Sequence, residues 1–399
     1  MADLFEKYYW YPPAETQIPW KVIFSGFYRH PQSFSTALCR YLNVNYCVLG
    51  QSARALLYKL LLILKDNDSG QRNEVLIPGY TCYSVAAAVA KAGLRISVYD
   101  LDPKTLHPDI DSIRKALTGE TLAIVTQHLF GRLTPIDGLK QIAASNGSYL
   151  IEDAAQALGR VQDGTPPRAL SDFGLLSFGR GKPLPIGAGG ALVSDNYPKI
   201  LTALRWGTAK NGYMQPIVSA AVKIMSKPYL YWLPEILPMG LGETIFDPGF
   251  AVKSMSAATE RLAAGAIATL DDLNTHRRRL ADTYTQLIDK TCQLNGTGPA
   301  ISVIRYPIML PFKVFANSLK RLGIRKMYPN AICMEKSVQP HLKKGIPVTP
   351  GAVEIAEKLH TLPTHMAIDG RVALQITIAV QNAVGQKQLD CSHLRRDRW

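Results

Sequence analysis

Lys182 lies on a loop rich in glycine and proline, SFGRGKPLPIGAGG at residues 177–190. A short apolar stretch precedes this loop and predicts a strand that ends just before the lysine. Glycines allow backbone to come close to a bound ligand. A lysine amine in such a place is suited to forming a Schiff base with a carbonyl compound, provided that desolvation or neighbouring charge keeps the amine neutral. The loop therefore predicts covalent amine chemistry at Lys182.

Two carboxylates follow a second apolar stretch, in LIEDAAQALG. Glu152 and Asp153 come directly after the predicted strand, and Gln156 follows three residues later. An isolated aspartate here would equally suit a cap for the next helix. Beside Lys182, Asp153 suits a second role, because a carboxylate paired with the protonated ring nitrogen of pyridoxal 5′-phosphate (PLP) keeps that ring an electron sink. The two residues together predict a PLP site.

A PLP site also needs groups that hold a phosphate. Gln51, Ser52 and Ala53 open a predicted helix, whose first backbone N–H groups can bind an anion. Ser177 offers a hydroxyl near Lys182. A nucleotide-binding P-loop is excluded, because that motif places a glycine six residues before its lysine and Ser or Thr after it, where this chain has leucine and proline.

Apolar strands alternate with helices of about ten residues over the first half of the chain. The strand-like segments are EVLIP, LRISVYDLD, LAIVTQHLF and SYLIED, and helix-like segments such as SVAAAVAKAG and DGLKQIAASNG lie between them. This order is typical of an α/β fold with a mainly parallel sheet sandwiched by helices. Ligand sites of such sheets lie beyond the carboxyl ends of the strands, where Asp153 and Lys182 are expected.

The composition is that of a globular protein. At 399 residues, 47% of them hydrophobic, the chain exceeds what one core usually serves and predicts two domains. The start, MADLFEKYYWYPP, lacks the basic and apolar regions of a signal peptide, and we expect a cytoplasmic protein. Six cysteines without CxxC spacing predict reduced thiols, with neither a disulfide framework nor a metal site.

Positive charge dominates, with a formal net charge of +14 and much of the excess in residues 301–399. Such a charge favours anionic ligands, although solvated surface charge explains it equally well. Phosphorylated small molecules and a membrane surface both stay open. We expect no nucleic-acid partner, because no nucleic-acid-binding motif accompanies the charge.

Four motifs, in order and spacing, resemble those of the DegT/DnrJ/EryC1/StrS family. They are IPGYTCYSVAAAVAKAGLRISVYDLDPKTLHPD, VTQHLFGRLTPIDGL, LIEDAAQALG and SFGRGKPLPIGAGGALVS. The resemblance implies a fold-type I PLP-dependent transferase: a large domain with a mainly parallel sheet, a smaller C-terminal α/β domain, and a homodimer with the cofactor near the subunit boundary.

The resemblance also implies an activity. Lys182 falls on the lysine that holds PLP and moves protons, and Asp153 falls on the partner of the pyridine nitrogen. Because the lysine is retained, amino transfer is favoured over the sugar dehydration of members that have histidine there. The implied reaction moves an amino group from an amino acid, glutamate above all, to a nucleotide-linked keto-sugar for surface polysaccharide or glycan biosynthesis.

The remaining cofactor contacts come from the same resemblance. Gln156 matches the residue near the ring hydroxyl, and Ser177 matches a phosphate ligand. Ser52 and Ala53, in GQSARAL, occupy the family's phosphate-binding turn, where Arg54 is an unusual residue.

Two segments depart from the family pattern. The aromatic residue that stacks on the cofactor falls on Cys82; a shifted Tyr80 or Tyr83 takes its place, of which we expect Tyr83, or the Cys82 thiol contacts the ring. The family's Gly-Tyr-Asn element, through which a neighbouring subunit reaches the phosphate, is replaced by FDPGFAVKSM, where Lys253 is a candidate substitute.

We expect an N-terminal arm (1–35), a large PLP-binding domain (36–250) and a small C-terminal domain (251–399). An apolar insert at 217–242, IVSAAVKIMSKPYLYWLPEILPMGLG, is too broken by prolines to span a bilayer. The insert is a dimer contact or a lid over the active site, or it is an interfacial patch for peripheral membrane contact.

Alternative functions stay open. The insert and the altered turns also fit an aminotransferase that acts on a lipid-linked or cyclitol ketone. A non-catalytic sensor or regulator with a PLP fold is disfavoured by the retention of Lys182 and Asp153. His128 either reaches the pocket or is a structural histidine, and His365 approaches the substrate by resemblance alone. Arg132 and Arg180 are candidates for an anionic group of the substrate.

Overall fold

The centre of the molecule is a seven-stranded sheet of order β1-β7-β6-β5-β4-β2-β3. The computed structural model describes residues 9–14, 18–28, 32–68, 70–159, 171–204, 206, 212–236, 244–296, 302–310 and 317–396. The strands are β1 (Cys47–Gly50), β2 (Glu74–Pro78), β3 (Arg95–Tyr99), β4 (Thr121–Gln127), β5 (Tyr149–Asp153), β6 (Phe173–Ser177) and β7 (Gly190–Val193). Strand β7 is antiparallel to both of its neighbours, and the other pairs are parallel.

Helices alternate with these strands and continue into the C-terminal part. They are α1 (Trp20–Ser25), α2 (Phe34–Leu42), α3 (Ala53–Asn67), α4 (Tyr83–Lys91), α5 (Ile110–Ala116), α6 (Asp137–Asn146), α7 (Pro198–Ala203), α8 (Met214–Met225), α9 (Trp232–Ile236), α10 (Ala257–Ala266), α11 (Leu270–Leu287), α12 (Asn317–Arg321), α13 (Pro350–Lys358) and α14 (Gly370–Arg396). The predicted βα alternation is therefore present.

Both faces of the sheet are buried, so apolar residues occupy both faces of its central strands. In β2, Val75 and Ile77 pack in one hydrophobic cluster, while Leu76 between them packs in a second cluster on the opposite face. Helices α3 and α4 contribute to the first cluster, and α5 and α6 to the second. The sheet is thus sandwiched by helices, as the sequence predicts.

Helix α3 begins where the sequence predicts a cap. Ser52 is in an extended conformation, and its hydroxyl accepts a hydrogen bond from the backbone N–H of Ala55 at 3.3 Å. Leucines recur on the inner face of the helix and are fully buried against the sheet. This packing fixes the start of α3 at the carboxyl edge of the sheet.

A second core lies in the C-terminal part. Strands β8 (Arg305–Met309) and β9 (Leu359–Pro363) pair antiparallel, and α11 and α14 pack with them in a separate hydrophobic cluster. Tyr328 and helix α13, by contrast, pack with the large sheet. The predicted domain boundaries stay a prediction.

The apolar insert forms α8 and α9, and its residues 237–242 lie outside the described residues. Helix α8 contacts α1 and α10, and the hydroxyl of Ser219 donates to the carbonyl of Ile186 at 3.2 Å. Several large apolar side chains of α1 and α8 are exposed. In the part of the chain that the structure describes, no helix combines the length and the apolar character needed to cross a membrane.

Candidate active site

A cavity of about 200 Å³ opens at the carboxyl edge of the large sheet. It brings together seven of the residues predicted from the sequence, which come from five separate segments. They are Ser52, Ala53, Cys82, Asp153, Gln156, Ser177 and Lys182. Parallel strands place their carboxyl ends at one edge, so residues that are far apart in the chain meet there.

The turn before Lys182 depends on glycine. Gly181 has a φ of +69°, in the left-handed region that favours glycine. The backbone N–H of Lys182 donates to the carbonyl of Gly179 at 3.3 Å, which closes the turn. Among the described residues, the Lys182 amine has no hydrogen-bond or ion-pair partner. The amine is therefore available to a ligand in the cavity.

Asp153 ends β5 and lies in the same cavity as Lys182. Its Oδ1 accepts a hydrogen bond from the N–H of Ala155 at 3.0 Å, and within the described part of the chain its Oδ2 accepts none. Burial raises the pKa of Asp153, while the charge of Lys182 acts in the opposite direction. A cationic N–H donor in the cavity would satisfy the open oxygen and stabilise the ionised carboxylate.

His128 is held in place by two hydrogen bonds. The backbone N–H of Thr134 donates to Nδ1 at 3.0 Å, so the ring proton lies on Nε2, which donates to Glu152 at 2.9 Å. The other oxygen of Glu152 accepts from the N–H of Ser171 at 2.6 Å. His128 lines the cavity and is at the same time a structural partner of a buried carboxylate.

Gln156 connects the large sheet to a tyrosine from much later in the chain. Its Oε1 accepts from the N–H of Phe130 at 2.7 Å, and its Nε2 donates to the hydroxyl of Tyr328 at 3.0 Å. The Tyr328 ring packs against Tyr80, with centroids 5.2 Å apart. Burial raises the pKa of Tyr328 well above its ordinary value, so the phenol stays protonated. Sequence reasoning missed Tyr328, because no local pattern connects it to the strand ends.

Of the candidates for contact with the ring face, Cys82 lines the cavity and Tyr83 does not. Tyr83 is the first residue of α4, and its hydroxyl accepts from the N–H of Asn330 at 3.0 Å and contacts Glu335 at 3.1 Å. The structure therefore does not support the expected stacking role of Tyr83. The Cys82 thiol accepts a hydrogen bond from Ser84 at 3.0 Å.

The start of α3 forms one end of the cavity. Strand β7 passes so close that a Cβ on Gly190 would lie 2.5 Å from the backbone nitrogen of Ala53, which excludes a side chain there. Arg54 also lines the cavity, and its guanidinium lies 5.0 Å from the ring centroid of Phe250. Free backbone N–H groups of a helix start, hydroxyls and a guanidinium together suit a phosphate.

The other candidates lie outside the residues that line this cavity. His365 is buried, and its Nε2 donates to the carbonyl of Pro12 at 2.7 Å. Arg132 donates to the carbonyl of Asn295. Lys253 lines a neighbouring cavity. Arg180 is not among the lining residues of either cavity.

Comparison with known proteins agrees with this geometry. Residues 21–381 match the DegT/DnrJ/EryC1/StrS aminotransferase family. The chain belongs to this family. The sequence predicted an aminotransferase of this family with PLP as its cofactor, and the match confirms the family, whose aminotransferases depend on PLP. The residues in the cavity fit that cofactor, because a lysine and a carboxylate line it, and within the described part of the chain neither the lysine amine nor Oδ2 of the carboxylate has a partner.

Relatives with curated names act on two kinds of ketone. An L-glutamine:2-deoxy-scyllo-inosose aminotransferase of Streptomyces fradiae is 33% identical over 174 residues, 43% of this chain and 40% of the relative. An L-glutamine:scyllo-inosose aminotransferase of Streptomyces griseus is 28% identical over 72% of this chain and 64% of the relative. A UDP-2-acetamido-2-deoxy-3-oxo-D-glucuronate aminotransferase of Pseudomonas aeruginosa is 34% identical over 34% of this chain and 38% of the relative. The first of these alignments spans about two fifths of the relative's length.

Solved structures confirm the fold class. The aminotransferase PseC of Helicobacter pylori has a TM-score of 0.72 and 16% identity, and the alignment covers 94% of this chain and all of that one. A sugar aminotransferase of Streptococcus pneumoniae, solved in its PLP form, has a TM-score of 0.71 and 19% identity over 95% of this chain and 99% of that one. At these identities the likeness shows the fold alone.

Proposed function

We propose that the protein transfers an amino group from an amino acid, glutamate above all, to a keto-sugar that carries a nucleotide, in the biosynthesis of a surface polysaccharide or related glycan. One observation carries the proposal: the amine of Lys182 and Oδ2 of Asp153, neither of which has a partner among the described residues, belong to side chains that line one cavity. In the reaction the donor becomes its 2-oxo acid, and the amino group replaces the carbonyl oxygen of the acceptor.

PLP, bound to Lys182, supplies the aldehyde that takes up the amino group and a ring that accepts electrons. Asp153 would accept a hydrogen bond from the protonated ring nitrogen, because its side chain lines the cavity and its Oδ2 has no partner among the described residues. Lys182 accepts and donates the proton that moves at the reacting carbon. Gln156, which donates to the phenol of Tyr328, would bind the ring hydroxyl. The Cys82 thiol, which lines the cavity, would contact a ring face.

The phosphate of the cofactor would bind at the start of α3. There Ser52 and Ala53 contribute the helix start, and Ser177 contributes a hydroxyl from the end of β6. Arg54 supplies a positive charge that the helix start and the hydroxyls lack. Together these residues oppose the two negative charges of the phosphate.

A cyclitol ketone is the second candidate acceptor. The names of the relatives from the two Streptomyces species support it, whereas the Pseudomonas aeruginosa relative and the net charge of +14 support a nucleotide-linked sugar. A lipid-linked ketone stays a further alternative because of the apolar surface of α1 and α8. A non-catalytic sensor would bind PLP, and added amino acids would not convert the bound PLP to its pyridoxamine form.

The exposed apolar side chains of α1 and α8 define what we call the α1/α8 surface. Trp20 and Phe24 are 44% and 55% exposed, and Ile217 is 52% exposed. The ammonium of Lys223 lies 5.8 Å from the centroid of Trp20. Aromatic residues beside lysines suit the boundary of an anionic lipid surface, and we propose peripheral membrane contact here. The proposed homodimer offers a second copy of the chain as the alternative occupant of this surface.

The acceptor is tested in the second half of the reaction. The protein is converted to the pyridoxamine form with glutamate or glutamine, and the return of the absorbance band above 400 nm is followed as each ketone is added. A nucleotide-linked keto-sugar should restore the band, and keto-inositols should do so poorly. Restoration by keto-inositols alone would overturn the nucleotide-sugar proposal, and failure of every amino acid to shift the band would favour the sensor.

The α1/α8 surface is tested by flotation with vesicles that contain anionic phospholipid. The wild-type chain should float, and a variant with Trp20→Ser and Phe24→Ser should stay in the dense fraction. If the wild-type chain stays in the dense fraction and the variant changes the oligomeric mass in light scattering, the surface is a dimer contact instead.

A further inference from the structure

The loop that carries Lys182 is closed at its base by backbone hydrogen bonds. The N–H of Gly187 donates to the carbonyl of Phe178 at 2.9 Å, and the N–H of Phe178 donates to the carbonyl of Gly189 at 3.0 Å. Residues 179–186 lie between these contacts, and Lys182 is near the middle of that stretch. Closure of the base fixes the two ends of the loop, so the direction of its middle depends on further contacts.

Two side chains of α8 hold the loop at the carbonyl of Ile186. Nε2 of Gln215 donates to this carbonyl at 2.8 Å, and the hydroxyl of Ser219 donates to it at 3.2 Å. The two residues are four positions apart, so they lie on the same face of the helix. Ile186 is only 1% exposed, and these side chains therefore take the place of water at its carbonyl.

The loop and α8 fit closely because residue 187 is a glycine. Gly187 has a φ of +92°, and a Cβ there would lie 2.8 Å from Nε2 of Gln215. On the other side of the loop, Arg277 of α11 donates to the carbonyl of Pro183 at 3.0 Å. Two helices from outside the sheet thus hold the stretch that follows Lys182.

Neither Gln215 nor Ser219 lines the cavity that contains Lys182. They can therefore act on a reaction in that cavity only through the loop. A displacement of a reacting group by about 1 Å can lower a rate about 100-fold. Groups that fix the backbone beside a reacting lysine consequently affect the rate without touching the substrate.

We propose that Gln215 and Ser219 are positioning residues, which orient Lys182 toward the cavity by holding the carbonyl of Ile186. This inference rests on the proposed function, in which Lys182 carries the cofactor and moves the proton. It also gives a role to the helix in which the apolar insert begins: α8 supports the reacting lysine from outside the cavity.

The two donors make a distinctive pattern of mutant effects. Loss of either donor leaves the carbonyl of Ile186 with one hydrogen bond, whereas loss of both leaves a buried acceptor without a partner. The single variants Gln215→Met and Ser219→Ala should therefore have small effects. The effect of the double variant should exceed the product of the two single effects.

Deuterium exchange in cofactor-free protein tests the loop without any reaction. In the double variant, the backbone amides of residues 178–189 should exchange about tenfold faster or more, while those of β2 stay unchanged. Ser148→Ala is the matched control, because its hydroxyl donates to the carbonyl of Thr121 at 2.7 Å at the opposite edge of the sheet. This control should leave exchange in the loop within about twofold of the wild-type protein.

The orientation of Lys182 is tested by two rates. At saturating PLP, the rise in absorbance above 400 nm reports capture of the cofactor by Lys182, and its rate constant should fall about tenfold or more in the double variant. With L-glutamate, the rate constant for loss of this absorbance should fall about 10- to 100-fold, while the apparent Kd of glutamate stays within about threefold. Both single variants and Ser148→Ala should stay within about threefold of the wild-type protein in every value.

The possible results separate this inference from the proposed function. Unchanged loop exchange in the double variant would overturn the inference, and so would faster exchange with unchanged rate constants. A higher Kd for glutamate with an unchanged rate constant would also overturn it, since it would assign the two residues to substrate binding. If wild-type protein captures PLP but no amino acid converts it, the proposed function is wrong. Faster loop exchange and slower capture in the double variant would still support the inference in that case.

Discussion

Replacing Arg54 by methionine removes the cation from the end of the cavity where we place the cofactor phosphate. In the structure the guanidinium contacts the ring of Phe250 at 5.0 Å, and it makes no ion pair with the described residues. Its charge is therefore available to an anionic ligand. Hydrogen bonds to charged groups contribute about 1.5–3 kcal/mol, which corresponds to a factor of about 10–100 in affinity.

The assay compares two aldehydes that react with the same lysine. PLP and pyridoxal, which lacks the phosphate, are titrated into protein freed of cofactor, and the absorbance above 400 nm reports each Kd. In Arg54→Met the Kd for PLP should rise about 10- to 100-fold while the Kd for pyridoxal stays within about twofold. Arg54→Lys keeps a positive charge but lacks the planar guanidinium. Its Kd for PLP should lie between those of the wild-type protein and Arg54→Met.

Two outcomes would refute this reasoning. If the Kd values for PLP and pyridoxal rise by the same factor in Arg54→Met, Arg54 affects the shape of the site through Phe250 and does not bind the phosphate. If neither changes, the helix start and the hydroxyls of Ser52 and Ser177 hold the phosphate without a cation.

Three further predictions follow from the buried groups. His128→Phe should lower the free energy of unfolding by about 2 kcal/mol, since Glu152 loses a hydrogen bond in a buried place; an unchanged midpoint in urea denaturation would contradict this. Burial raises the pKa of Asp153, so in cofactor-free protein its ionised form opposes folding, and stability falls as the pH rises through the folded pKa. The cofactor-free variant Asp153→Asn should therefore have a higher melting temperature than the wild-type protein at neutral pH. The difference should disappear as the pH falls toward 3.8. A lower melting temperature of the variant at neutral pH would show that burial is not the dominant effect on the pKa of Asp153. Tyr328→Phe should raise the Kd for PLP about threefold to tenfold, because the amide of Gln156 loses its hydrogen bond to the Tyr328 hydroxyl. An unchanged Kd would show that the ring hydroxyl of the cofactor does not bind at Gln156.

Strand-end residues were predictable because two local signals agree at each of them. An apolar run predicts where a strand ends, and a polar or charged residue directly after it predicts a place at the ligand edge of a parallel sheet. Asp153 and Ser177 end their strands in this way, and Lys182 follows after one turn. The Ser52 cap was predictable for the same reason, since it precedes a helical leucine pattern.

The contacts that come from distant parts of the chain were not predictable. Tyr328 reaches Gln156 across 172 residues, and Gln215 reaches the carbonyl of Ile186 from α8. Neither has a sequence pattern of its own, because a tyrosine in an apolar segment equally fits a core position and a glutamine equally fits an exposed helix face. Distant contacts also explain the position of Tyr83. Its place in the motif predicted contact with the cofactor ring, but it is the first residue of α4 and its hydroxyl contacts Asn330 and Glu335.

The central claim is that the amine of Lys182 carries the cofactor, and reduction with borohydride tests it most directly. PLP-loaded protein is reduced, digested and examined by mass spectrometry. A phosphopyridoxyl group should be found on Lys182 and on no other lysine, and Lys182→Ala should yield none. A modified lysine elsewhere, or no adduct in a protein that has bound PLP, would contradict the account.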